Sequence, residues 1–229
     1  MPSKIRDSID EALADINDGA TVMIGGFGLA GQPSELIDGL IRREAKNLTI
    51  VNNNAGNGDV GLALLIKSGF VKKIICSFPR QVDSHHFDEK YHAGEIELEV
   101  VPQGNLAERI RAAGAGIGGF FTPTGYGTLL AEGKETRVIE GKNYVLESPI
   151  HADFALIKAY KADPLGNLVY RKTARNFGPV MATAAQTTIV QVSEVVETGG
   201  LDPESVITPG IFVQRIVQVP STNPKEQQA

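Results

Sequence analysis

Short apolar runs alternate with amphipathic ones through the first half of the chain, and that rhythm limits the fold more than any single motif does. Strand-like runs at 20–24, 48–51, 72–77 and 96–101 lead into helix-like patterns at 33–43, 60–67, 83–92 and 105–113. Neighbouring strands can lie parallel only when a crossover, usually a helix, carries the chain back to the starting edge. The alternation therefore predicts an α/β fold: a mostly parallel, Rossmann-like sheet with helices on both faces. Ahead of it, Ile5, Ile9, Leu13 and Ile16 recur at helical spacing, and Asn17-Asp18-Gly19 ends that helix. The second half changes character. After a glycine-dense stretch at 114–127, turn residues at 140–143 and 163–167 separate apolar runs and signal two β-hairpins. Further strands are expected at 188–192 and 211–217. No linker or repeat interrupts, so residues 1–220 read as one domain and 221–229 as a flexible tail.

Composition removes several classes of function. A formal net charge of -5, with no local basic cluster, argues against a nucleic-acid partner. No apolar run approaches the length needed to span a bilayer, and the first residues lack a signal-peptide core. The single Cys, Cys76, excludes an intrachain disulfide and fits a reducing, cytoplasmic setting.

Gly26, Gly28 and Gly31 spell G-x-G-x-x-G between a strand-like and a helix-like run, the context of a dinucleotide-binding loop. That fingerprint also needs an acid at the end of the second strand to hold a ribose hydroxyl. Here the strand runs instead into Asn52-Asn53-Asn54. Pro33 further places the helix start beyond Gly31, leaving that glycine in the loop. What remains is a loop that can approach a ligand closely and a helix start whose N–H groups suit an anion or thioester oxygen. In a parallel sheet such loops gather at the strand C-termini. The Gly25–Gly31 loop, the 52–59 segment and the 102–105 segment should therefore converge.

Few residues offer chemistry of their own. No G-x-S-x-G nucleophile elbow occurs, and His151 has no evident partner. Cys76 reads as a buried structural thiol. His85, His86 and His92 with Asp83 and Asp88 match no metal-ligand spacing and read as a solvated helix face, so no metal is expected. Arg42-Arg43 and Lys72-Lys73 read as surface charge. Gln103, between Pro102 and Gly104 just after a strand, suits a carbonyl or oxyanion and equally suits a β-turn. Composition and spacing thus reach a glycine-rich anion or thioester pocket without a catalytic group of its own.

The run Asp18–Pro33, containing Gly25-Gly26-Phe27-Gly28-Leu29-Ala30-Gly31, resembles the glycine-rich signature of the A subunits of family I CoA-transferases. Segments 52–58, 101–111, 122–128, 170–177 and 208–215 resemble the same family in the same order. The resemblance implies the CoA-transferase fold, with Gly25, Gly26, Phe27, Gly28, Leu29, Ala30 and Gly31 as the CoA-binding loop. It also implies Gln103 beside the reacting carbonyl, with Asn52 and Asn54 lining the same pocket. Family members attack an acyl-CoA with the Glu of a Ser-Glu-Asn-Gly motif. In this chain Ser34-Glu35 and Ser193-Glu194 are followed by other residues. The resemblance therefore implies a nucleophilic Glu on a separate B subunit, ping-pong transfer through a glutamyl-CoA thioester, and no permanent cofactor. Cys76–Gln81 and His151-Ala152-Asp153-Phe154 resemble the branch acting on 3-oxoadipate, with succinyl-CoA as donor, more than the acetoacetate branch. On that reading Arg80 could pair bidentately with the distal carboxylate of 3-oxoadipate, an ordinary surface Arg being the alternative.

Overall fold

The computed structural model describes residues 3–80 and 83–219. The tail expected at 221–229 lies outside them, as does Gln81. In chain order the elements are α1 (Ile9–Ala12), β1 (Thr21–Ile24), α2 (Ser34–Arg43), β2 (Leu48–Val51), α3 (Leu62–Lys67), β3 (Val71–Cys76), α4 (His85–His92), β4 (Glu97–Val100) and α5 (Gln103–Gly114). There follow β5 (Phe120–Thr122), β6 (Thr136–Ile139), β7 (Lys142–Glu147), β8 (Ala152–Ala162), β9 (Leu168–Val169), α6 (Gly178–Ala184), β10 (Ala185–Val195) and β11 (Arg215–Gln218). The main sheet runs β11-β10-β8-β1-β2-β3-β4, with every neighbouring pair parallel. β9 folds back antiparallel on the end of β8, and β5-β7-β6 form a small antiparallel sheet of their own.

Both faces of the main sheet are covered, which explains its continuous apolar strands. In β1, Val22 and Ile24 point to the core shared with Leu13, Leu36, Leu40, Leu65 and Phe87. Met23 points the other way, to a core built with Leu106, Ile110 and Met181. The first carries α1 to α4 and the second carries α5 and α6. Strand order reverses between β1 and β8, and β1 stops at Ile24 opposite Leu156 while β8 continues to Ala162. A ligand crevice belongs at that step, outside the strand C-termini. No helix among the described residues is long and apolar enough to cross a membrane.

Three elements depart from the sequence reading. The first helix is only Ile9–Ala12, because the Ser8 hydroxyl accepts from Glu11 N–H and starts it late. Ile5 instead bridges Ile216 on the edge strand β11, whose open main-chain groups compete successfully with a helical turn. The strand expected at 211–217 begins only at Arg215, since 210–212 form a 3-10 turn. There Gly210 N–H donates to Asn167 Oδ1 at 2.9 Å. α6 was not foreseen: it packs on α5 so closely that a Cβ on Gly114 would lie 2.0 Å from Thr183 Oγ1. Small residues in that contact hide the helical periodicity.

At the opposite end of the sheet, where the strands begin, Asp153 Oδ2 accepts from Thr21 N–H at 2.8 Å and aligns β8 with β1. Asp153→Ala is expected to cost about 1–2 kcal/mol in urea unfolding by orphaning that donor, with Asp153→Asn recovering most of the loss.

Candidate functional site

The glycine loop fills the step between β1 and β8. Gly26, Gly28 and Gly31 adopt φ of 123°, 59° and 71°, a region closed to most side chains. Phe27 N–H donates to Ala30 O at 3.0 Å and Ala30 N–H returns the bond at 3.3 Å, so the loop folds on itself. This leaves Phe27 and Leu29 exposed at its tip. Gly31 meets the 3-10 segment Lys172–Arg175 so tightly that a Cβ there would sit 2.2 Å from Ala174 O. Asn176 Nδ2 ties the two together by donating to Ala30 O at 2.9 Å. The start of α2 is not the anion site expected from sequence. Leu36 N–H donates to the buried Gln191 Oε1 at 3.2 Å, and the Gln191 amide in turn donates to Glu35. A partner on another strand and a carboxylate in the first turn already occupy that end.

Beside this loop the three asparagines after β2 form a buried amide cluster. Asn52 Nδ2 donates to Ile24 O at 2.5 Å, and its Oδ1 accepts from Asn54 N–H at 2.9 Å. Asn52 therefore splints β1 to β2. Asn54 Oδ1 accepts from Gly56 N–H at 2.8 Å, while its Nδ2 is buried without an acceptor among the described residues. Asn53, to which the sequence assigned no role, turns out to be the hub. Its Oδ1 accepts from Gln103 Nε2 at 2.7 Å and from Ser77 Oγ at 2.9 Å. Gln103 is the first residue of α5 and is itself exposed. One amide hydrogen is committed to Asn53, which orients the group and leaves the other free to donate to a developing oxyanion. Two residues on, Asn105 Nδ2 donates to Thr124 O at 3.3 Å and brings the 122–128 segment alongside. The three expected loops do converge, and the cluster of Asn52, Asn53, Asn54, Ser77 and Gln103 holds neutral amide and hydroxyl groups throughout.

The other candidates sit apart from this chemistry. Cys76 is fully buried, and burial pushes its thiol up to about 12, so a thiolate is negligible at neutral pH. Asp59, His85 and His86 come together, with His86 Nε2 at 2.6 Å from Asp59 Oδ1. The Lys67 ammonium contacts the same oxygen at 3.0 Å, where a metal ion would have to compete with it. Hydrogen bonds from His86 and Lys67 hold the Asp59 carboxyl down at about 2. Arg80 lies on the loop after β3, with Nε paired to Asp88 Oδ1 at 2.8 Å and most of its side chain exposed. His151 leads into β8 and Ala152–Phe154 open it, at the end of the sheet where the strands begin and beside a cavity of about 350 Å³ reached by neither the glycine loop nor the amide cluster. The sequence reading gives no role to the 171–176 segment, although its three basic residues, Arg171, Lys172 and Arg175, flank Gly31's contact at Ala174.

Two outcomes follow from this geometry. Gly31→Ala is expected to destabilise the fold by about 3 kcal/mol or to prevent it, since it combines positive φ with a backbone clash; thermal melting measures this. Cys76 is expected to resist iodoacetamide at pH 8 until the protein is unfolded, as read by intact mass.

Known proteins agree with the architecture. The Coenzyme A transferase family model matches residues 6–219. The A subunit of 3-oxoadipate CoA-transferase from Pseudomonas putida is 69% identical over 96% of this chain and 95% of its own length. Its counterpart in Acinetobacter baylyi is 70% identical over 97% of each. The A subunit of a probable succinyl-CoA:3-ketoacid coenzyme A transferase from Bacillus subtilis is 50% identical over 93% of this chain and 89% of its own. Among solved structures, an acyl-CoA transferase from E. coli superposes with a TM-score of 0.83 at 24% identity, over 96% of this chain. This chain spans 48% of that one, about half its length. Glutaconate coenzyme A-transferase from Acidaminococcus fermentans superposes with a TM-score of 0.80 at 21% identity, over 95% of this chain and 76% of that one. With a family match and close relatives that span nearly its whole length, the chain belongs to the coenzyme A transferase family.

Proposed function

We propose that this chain is the A subunit of a 3-oxoacid CoA-transferase that moves CoA from succinyl-CoA to 3-oxoadipate, giving 3-oxoadipyl-CoA and succinate. The observation carrying this reading is identity of 69% and 70%, over nearly full length, to two proteins named for that activity. The site chemistry agrees with it. A carboxylate nucleophile adds to the thioester carbonyl, and the bond to sulfur breaks to leave an acyl anhydride and the CoA thiolate. The thiolate then attacks the nucleophile's own carbonyl, releasing succinate and forming the enzyme thioester. 3-Oxoadipate reverses both steps and leaves with the CoA. Each addition places negative charge on an oxygen, and Gln103, held by Asn53, supplies a donor for it. Gly25–Gly31 is the loop that receives the CoA chain. Asn52 and Asn54 shape the pocket floor.

The nucleophile belongs to a B subunit. In this chain Glu35 is bound by Gln191 and Glu194 pairs with Lys161 at 2.8 Å, and neither residue belongs to the amide cluster. The doubled length of the E. coli acyl-CoA transferase supports a second half of similar size. The pair works in the cytoplasm, where a lone buried thiol stays reduced.

Acceptor choice falls to the loop after β3. His151–Phe154, the other segment that resembles the 3-oxoadipate branch, begins β8 at the opposite end of the strand and serves its alignment. Arg80 would exchange Asp88 for the distal carboxylate of 3-oxoadipate.

The defining assay offers succinyl-CoA with 3-oxoadipate or acetoacetate to this chain alone and to this chain with its B subunit. Activity only in the mixture, faster with 3-oxoadipate, is expected; preference for acetoacetate would reassign the substrate. In the mixture, Gln103→Ala should lower turnover about 100- to 1000-fold without disturbing assembly, and wild-type turnover would remove its role. Arg80→Ala should slow 3-oxoadipate roughly tenfold and spare acetoacetate; an equal loss on both would remove Arg80 from recognition.

A further inference from the structure

In a chain of net charge -5, two adjoining clefts beside Ala30 are lined by cations and by no Asp or Glu. Lys158 and Arg171 face the smaller, of about 320 Å³; Arg175 faces the larger, of about 950 Å³; Lys172 faces both. Among the described residues no ion pair occupies Lys158, Lys172 or Arg175, whereas neighbouring Lys161 is held by Glu194 at 2.8 Å.

The main chain around these cations is fixed at some cost. Lys172 has φ of 50°, a left-handed value that disfavours a long side chain. Of the other non-glycine residues in that region, Glu44 caps α2, Glu140 turns the β6–β7 hairpin and Asn47 has the side chain that best tolerates it. Lys172 instead opens the 3-10 segment and directs that segment along both clefts. The glycine loop locks it there through the Gly31–Ala174 contact and through Asn176 Nδ2, which donates to both Ala30 O and Thr173 O at 2.9 Å. A strained, stapled, cation-bearing turn is the form expected of a preorganised anion site.

We infer that these clefts seat the phosphates of the CoA thioester, with Lys158, Lys172 and Arg175 as the groups that hold them; this rests on the CoA-transfer reading above. CoA carries a diphosphate and, across a ribose, a separate phosphate. Two adjoining clefts sharing Lys172 fit paired anionic centres better than a single inorganic ion. Tyr160, whose ring lies 5.4 Å from the Lys161 ammonium and 5.7 Å from the Arg171 guanidinium, lines the smaller cleft.

The test is calorimetric binding of CoA, and of pantetheine, which lacks every phosphate, to the assembled A and B pair. Wild type is compared with Lys158→Gln, Lys172→Gly and Arg175→Gln. The glycine variant deletes the charge while keeping the left-handed backbone, so a loss there reads charge rather than folding. Each substitution is expected to weaken CoA roughly fivefold and to leave pantetheine unchanged. Adenosine 3′,5′-bisphosphate should compete with CoA in the wild type. Unchanged CoA binding in all three variants, equal weakening of pantetheine, or a nucleotide that does not compete would overturn the assignment. A complex that shows the charge-dependent binding but transfers CoA to no 3-oxoacid would support this site and overturn the transfer reading.

Discussion

The parallel pairing of β1 with β8 is the constraint on which the site depends. Ile24 ends opposite Leu156, but β8 runs on to Ala162, and the sheet acquires a step at the point where strand order reverses. The chain leaving β1 must turn into that step without a side chain in its way. This need accounts for Gly26, packed against Gln32, and for Gly31, packed against Ala174, while Gly28 serves the turn through its positive φ alone. Because β2 and β3 end at the same level, Asn52–Asn54 and Ser77 arrive beside the loop, and Gln103 joins them from the start of α5.

The groups assembled there suit a supporting half of an active site. Carboxamides hold no net charge, so a cluster of them can be buried without the penalty that ionised groups would incur. Asn53 accepts two hydrogen bonds and thereby fixes a Gln that is otherwise exposed. Such donors stabilise an anion that forms transiently but cannot begin the reaction. Beyond the amides, the basic 3-10 segment places Lys172 and Arg175 on the clefts beside Ala30, where a polyanionic substrate would find positive charge.

What the sequence disclosed follows from how local each signal is. The strand and helix alternation up to α5 was legible because each element buries one apolar stripe or a short apolar run. Gln103 and the glycine loop were legible as motifs, and their convergence followed from parallel topology. The roles within the asparagine run were not: which of three adjacent amides faces the main chain and which faces Gln103 depends on register with β1 and β3. Gln191 capping α2 joins positions 155 residues apart, and no local pattern announces it. α6 and the Ile5 bridge escaped for the same reason, since close helix packing and an open strand edge decided them rather than propensity. His151–Phe154 resembles one branch of the family, and only topology shows that it lies where β8 begins, away from the glycine loop and the amide cluster.

With the nucleophile on a B subunit, this chain supports a covalent intermediate formed on another. The A and B pair would be incubated with succinyl-CoA and no acceptor, quenched in acid, and both chains weighed by intact-mass spectrometry. A CoA adduct on the B partner and an unmodified mass for this chain are expected. A CoA adduct on this chain would contradict that placement of the nucleophile.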